Sequence, residues 1–270
     1  MAVTSYVASK DGTRLAFDRL GDGAPVVVVG GLLCGRSRTR GLADALASQL
    51  ASRRSVINYD RRGRGASGDA APYRVEREVE DLAAIIDRAG GDAAVYGHSS
   101  GAGLALRAAA CGLPIRRLVL HEPPYGPDDP ESMAAARDLG AAVAKAVEAG
   151  RPDDAVRAFF TAADLPPEVV EAMASDPTVL ALAPTMPYDH AVMGDEHGGT
   201  VPADLVRSVA VPTLVLAGDR SPAFFLDTAR RLIELLPSAR QTVIHGHGHD
   251  APPDVVAPIV AAFLLEQDDE

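Results

Sequence analysis

The stretch Ala93-Ala-Val-Tyr-Gly97-His98-Ser99-Ser100-Gly101-Ala-Gly103 decides how the rest of the chain is read. A short apolar run ends at Gly97, and a segment with helical spacing runs from Ser100 to Cys111. The first reads as a buried strand and the second as a helix. Between them lies G-x-S-x-G. A strand-to-helix turn this sharp lifts the serine hydroxyl above the sheet edge, at the positive end of the following helix. The positions two before and two after the serine must be small, because side chains there collide across the turn. A flexible Gly/Ser linker has similar letters but lacks apolar flanks on both sides.

The same strand-helix rhythm extends outward. Val26 to Val29, Ser55 to Tyr59, Ala93 to Tyr96, Leu118 to Leu120, Thr213 to Ala217 and Thr242 to Ile244 read as buried strands. Leu42 to Leu50, Val75 to Ala89, Phe224 to Leu236 and Asp254 to Glu266 read as helices between or after them. Ser5 to Ser9 and Thr13 to Leu20 suggest an antiparallel hairpin around Asp11-Gly12. Alternation of this kind predicts an α/β fold: a mostly parallel, doubly wound sheet of about eight strands, covered on both faces. From Gly126 to Pro202 the rhythm stops. Met133 to Ala149, Pro152 to Ala163 and Pro167 to Ala174 read as Ala-rich helices punctuated by prolines. The expected organisation is a core of residues 1–125 and 203–270 with a helical insertion at 126–202. Glu266 to Glu270 reads as a frayed acidic end.

Composition narrows the function. The 270 residues carry 26 Lys and Arg against 37 Asp and Glu, a formal net charge of −11, which argues against a nucleic-acid partner. Trp is absent and aromatics are 4%, so Ala, Val and Leu must fill most of the core. Cys34 and Cys111 cannot form a disulfide framework, and a reduced compartment is expected. Charges from Lys10 onward interrupt the N-terminal stretch too early for a signal-peptide apolar core. No apolar run approaches the roughly 18 residues of a membrane span. The expectation is a soluble, cytoplasmic protein acting on a small molecule.

On these motifs the chain resembles the α/β-hydrolase family over nearly its whole length. Asp60-Arg-Arg-Gly63-Arg-Gly65-Ala-Ser67 is similar to the family's loop after its fourth strand. Gly30-Gly31-Leu32 falls where the family usually carries His-Gly and then an oxyanion-hole residue. His249, between the last strand and the final helix, falls where the family places its histidine, and the order serine, acid, histidine is the family's order. The helical insertion falls where the family places its cap.

The resemblance implies Ser99 as nucleophile in an elbow made by Gly97, His98 and Gly101. A serine hydroxyl is a poor nucleophile near neutral pH and needs a base within hydrogen-bond reach, here His249. By analogy, the backbone N–H groups of Leu32 and Ser100 would be the oxyanion donors. The family usually takes its acid three residues past the glycine that ends its seventh strand. Here Gly218-Asp219-Arg220-Ser221 puts a serine at that place, with Asp219 two residues early. Some members, among them haloalkane dehalogenases and certain lipases, take the acid from the end of the sixth strand. Glu122 follows that strand and precedes two rigid prolines. We take Glu122 as the acid, Asp219 as the alternative, and Asp250 last.

Other constellations were weighed against plainer readings. His245-Gly-His247-Gly-His249-Asp250 has the residue types of a zinc site, but the plainer reading is one functional histidine and two loop histidines, with no metal. Cys34 and Cys111 read as buried, inert thiols. Arg36, Arg38 and Arg40 read as an exposed helix start. Asp189-His190 and Asp195-Glu-His197 read as solvated.

The reading that follows is a cofactor-free serine hydrolase acting on a small carboxylic ester, lactone or thioester through an acyl-enzyme. The aspartate nucleophile of dehalogenases and epoxide hydrolases is replaced here by serine. A perhydrolase and a carbon–carbon bond hydrolase remain open. So does a non-hydrolytic cyclase, lyase or binding protein on the same scaffold, an option favoured by the missing acid at the usual place.

Overall fold

The computed structural model describes residues 4–50 and 53–266. Residues 1–3, 51–52 and 267–270 lie outside them, and the last four belong to the expected frayed end. In chain order the core elements are β1 (Ser5–Ala8), β2 (Arg14–Leu20), β3 (Ala24–Val29), α1 (Arg36–Leu50), β4 (Arg54–Tyr59), α2 (Val75–Ala89), β5 (Ala93–His98), α3 (Ser100–Ala110) and β6 (Ile115–His121). Six helices follow: α4 (Pro130–Glu148), α5 (Pro152–Ala162), α6 (Pro167–Ser175), α7 (Pro177–Leu180), α8 (Met186–Met193) and α9 (Ala203–Arg207). The core resumes with β7 (Thr213–Gly218), α10 (Ala223–Leu235), β8 (Ala239–Ile244) and α11 (Pro253–Leu265).

The eight strands form one sheet in the order β1-β2-β4-β3-β5-β6-β7-β8. The pairs β1–β2 and β2–β4 are antiparallel, and every pair from β4 to β8 is parallel. The chain leaves β3 for β4 on one side, while β5 lies on the other. Crevices outside the carboxyl ends of strands at such a switch point are where open α/β sheets bind ligands. The segments entering that crevice are Gly30-Gly31 after β3 and Ser99 after β5.

The strands read as continuous apolar runs because both faces are buried. On one face Val27, Val29, Val95, Leu118, Leu120 and Val215 pack with α2, α3 and α10. On the other Val26, Val28, Ala94, Val119 and Leu214 pack with α1 and α11. A third, smaller core lies among the helices after β6, where Val143, Val156, Val179 and Met186 gather with Leu33 of the loop after β3. With so few aromatics, the bulkiest fully buried side chains include Arg61, Arg62 and Arg64, all from one loop.

Several boundaries differ from the expectation, and two of them have a partner far along the chain. Helix α1 begins at Arg36, six residues before the apolar spacing starts at Leu42. Its first N–H is capped across the chain, by the Oδ1 of Asp60 at 2.6 Å. Strand β6 begins at Ile115, because Arg117 is buried with its guanidinium donating to the carbonyls of Phe263 and Glu266. Between β6 and β7 the only β pairing among the described residues is an isolated bridge, Gly126 to Thr200.

Candidate active site

The serine of the turn has φ 56° and ψ −130°, a strained combination for a residue with a side chain. It persists because its surroundings admit nothing else. A Cβ on Gly97 would lie 2.5 Å from Ala102 Cα, and one on Gly101 would lie 2.7 Å from the Gly30 carbonyl oxygen. The Ser99 N–H donates to the His121 carbonyl at 2.9 Å, which ties the turn to the end of β6. The loop after β3 reaches the same place: a Cβ on Gly31 would lie 2.7 Å from Ser99 Cβ.

Glu122, the next residue along β6, also has positive φ, at 47°. The kink turns its carboxylate back across the strand ends. Oε1 accepts the Gly218 N–H at 2.7 Å and Oε2 lies 2.6 Å from His249 Nδ1. Burial works against the Glu122 charge, but the hydrogen bonds from His249 and Gly218 outweigh it and hold the carboxyl below its ordinary range. Nδ1–H of His249 therefore donates to the carboxylate, leaving Nε2 as the acceptor on the far side of the ring.

His249 is also gripped through its backbone and its ring faces. Its carbonyl lies 3.0 Å from His98 Nε2, its ring lies 4.6 Å from that of His98, and it stacks on Phe225 at 4.9 Å. Burial, then the repulsion its protonated ring would feel from a protonated His249 ring, pushes His98 down to about 4. His98 is therefore neutral near pH 7 and can donate from Nε2. His121, behind it, is buried and held well below its usual range, with Nδ1 2.6 Å from the Tyr96 hydroxyl. His121 is therefore neutral and shares one hydrogen bond with the phenol.

The alternative acid is elsewhere. Asp219 lies 2.9 Å from His245 Nδ1 and accepts the Gly246 N–H at 2.7 Å. Asp250 lies 3.7 Å from Arg38, both well exposed. Asp219 thus serves the loop of histidines that precedes His249, and His245 itself is exposed. Among the described residues no group of three or more His, Cys, Asp or Glu side chains is arranged to hold a metal ion.

Three expectations are corrected. Asp189 and His190 are not solvated: Asp189 is 2% exposed, and His190 is buried with Nδ1 2.5 Å from Asp195. Only Glu196 and His197 lie in solvent. Cys111 is exposed at the end of α3, and Cys34 is only partly buried, with burial pushing its thiol up. Arg36 is not an exposed helix start; it pairs with Asp60 at 2.9 Å and Asp18 at 2.6 Å.

The buried Asp189 lies within a cluster that the sequence reading missed. Its Oδ1 accepts from the Ser100 hydroxyl at 2.6 Å and from Arg61 at 2.7 Å, and its Oδ2 accepts from Arg64 at 2.7 Å. Burial opposes this charge, but Arg64 and Arg61 more than compensate and hold Asp189 at about 2. Arg61 also makes a two-pronged pair with Glu78, at 2.6 and 2.7 Å. The signal was in Arg61-Arg62-Gly63-Arg64, since three arginines beside two glycines suit tight carbonyl and carboxylate recognition.

A model of the alpha/beta hydrolase family matches residues 26–259. A crystal structure of an alpha/beta hydrolase from Sphaerobacter thermophilus is 47% identical, covering 96% of this chain and 100% of that one, with a TM-score of 0.83. A thermophilic esterase from Thermogutta terrifontis shares the fold at 23% identity, with a TM-score of 0.72 over 97% and 98% of the two chains. The polyketide synthase ThaQ of Burkholderia thailandensis is 30% identical over 94% of this chain, which spans only 12% of that protein's length.

Proposed function

The chain belongs to the alpha/beta hydrolase family, and from that premise we propose that it is a serine hydrolase of small carboxylic esters, lactones or thioesters. Ser99 attacks the carbonyl carbon while His249 Nε2 takes the hydroxyl proton. The carbonyl oxygen, now carrying the negative charge, is met by the N–H groups of Leu32 and Ser100. His249 passes the proton to the leaving alkoxide or thiolate, the carbon–leaving-group bond breaks, and an acyl-Ser99 ester remains. Water attacks that ester with His249 again as base, releasing the acid and restoring the serine. Glu122 fixes the His249 tautomer and stabilises the imidazolium. Residues 126–202 act as a cap over the strand ends.

The observation that carries this reading is the 2.6 Å approach of Glu122 to His249 Nδ1, beside an elbow serine in strained geometry. With a carboxylate supplied from β6, Ser221 at the usual acid position no longer favours a non-hydrolytic role. The test is intact-mass labelling by a fluorophosphonate. Wild type should gain one adduct, Ser99→Ala none, and Glu122→Gln should label much more slowly. A wild-type protein that gains no adduct defeats the proposal.

A further inference from the structure

The buried cluster around Asp189 joins four segments. Asp189 comes from α8, Arg61 and Arg64 from the loop after β4, Glu78 from α2 and Ser100 from the elbow. It contains two guanidinium groups and two carboxylates, so its formal charges cancel. Buried ion pairs pay a desolvation cost close to their Coulomb gain, so stability alone is a weak reason for such a cluster. Where its hydrogen bonds end is more informative.

Arg61 Nη1 donates to the Gly30 carbonyl at 3.2 Å, and Arg64 Nη1 donates to the Gly31 carbonyl at 2.6 Å. A peptide unit is planar, so the carbonyl of Gly31 and the N–H of Leu32 point in opposite directions within one rigid plate. Fixing the Gly31 oxygen therefore fixes the direction of the Leu32 N–H. On the other side, Asp189 holds the Ser100 side chain, whose own N–H is the second donor. Gly30 offers the loop no side chain of its own to brace it, and a Cβ there would press on Cys34 Cβ at 3.0 Å and Thr39 Cγ2 at 3.2 Å.

We infer that Arg61, Arg64 and Asp189 are positioning residues that hold the Leu32 and Ser100 N–H groups in register, with a residue of α8 locking the oxyanion site. The inference rests on the hydrolase reading above. Charge develops on the carbonyl oxygen only on the way to the tetrahedral intermediate, so misaligned donors should depress kcat and leave substrate binding nearly unchanged.

The experiment is steady-state hydrolysis of p-nitrophenyl acetate by wild type, Ser100→Ala, Ser100→Thr and Asp189→Asn, with a thermal melt of each. Ser100→Ala removes only the tether and should melt near wild type. It is expected to lose about tenfold in kcat with KM within about twofold, a part of what losing a whole donor costs. Ser100→Thr, which restores the hydroxyl, should recover most of that loss. Asp189→Asn, if it folds, should lose at least as much as Ser100→Ala. A Ser100→Ala kcat within about twofold of wild type, a loss confined to KM, or a threonine variant no better than alanine overturns the inference. A wild type without turnover overturns the hydrolase reading and the inference together.

Discussion

Glu122 Oε2 and His249 Nδ1 stand 2.6 Å apart although 127 positions separate them in the chain. The positive φ of Glu122 aims its carboxylate, and the His98–His249 hydrogen bond places the ring. An amide at position 122 can keep the contact while favouring the wrong tautomer. Glu122→Gln should therefore lose about 10³-fold or more in kcat for ester hydrolysis, while Asp219→Asn stays within about threefold of wild type. The reverse ranking in steady-state assays defeats the acid assignment.

Gly101 has the backbone of Val29 and Gly30 within contact distance of the space a methyl group would take. Gly101→Ala should cost about 3 kcal/mol or more, because backbone atoms on a central strand cannot move aside. Gly112→Ala is a control: its φ is +78° but nothing lies within 4 Å of the added carbon, and about 1 kcal/mol is expected. Urea unfolding midpoints compare the two.

His98 is held at about 4, and His121 is also held below its usual range. In the unfolded chain both take up a proton near pH 6.5, so the unfolded state binds more protons below that pH. Their contribution to stability is complete above about pH 7 and is lost as pH falls from about 6.5 towards 4. Urea midpoints should be level from about pH 7.5 to pH 7 and fall from there towards pH 5. His98→Gln should flatten that slope, and an unchanged slope contradicts the burial argument.

Arg62 is fully buried and meets Asp81 twice at 2.7 Å. Arg62→Met leaves Asp81 in the interior without its counter-charge and should cost about 3–5 kcal/mol. The double variant Arg62→Met/Asp81→Leu should recover part of that loss in thermal melts. No recovery shows that the pair does more than neutralise itself.

The sequence was most legible where one chain segment decides its own shape. The apolar runs gave the strands, and G-x-S-x-G between strand and helix gave the turn. Glu122 stood out because β6 ends at the same rim as Ser99, and its carboxylate lies 2.6 Å from His249 Nδ1. It was least legible where a partner comes from far along the chain. The first turn of α1 depends on Asp60, the burial of Arg117 on Phe263 and Glu266, and the burial of Asp189 on two arginines more than 120 positions away. A charged residue in a polar-looking helix carries no local sign that counter-charges await it. Cys111 was misread for a related reason, since apolar neighbours on both sides hid that α3 ends there in solvent.

The bridge between Gly126 and Thr200, with the Gly126 N–H donating to the Gly199 carbonyl at 2.8 Å, brings the two ends of the intervening helices side by side. A segment whose entrance and exit touch behaves as a cassette. Its outer helices α5 to α7 are the part that can be lengthened, shortened or exchanged without moving the sheet, because they pack on the other inserted helices. Helix α8 is the restriction: Val192 and Met193 join the main core, Tyr188 stacks on Tyr73, and Asp189 is gripped by two arginines. A replacement cassette lacking a carboxylate at that point would leave Arg61 and Arg64 facing each other beneath it. The outer helices α5 to α7 can therefore change while the sheet stays as it is, but the acidic residue of α8 must travel with every graft.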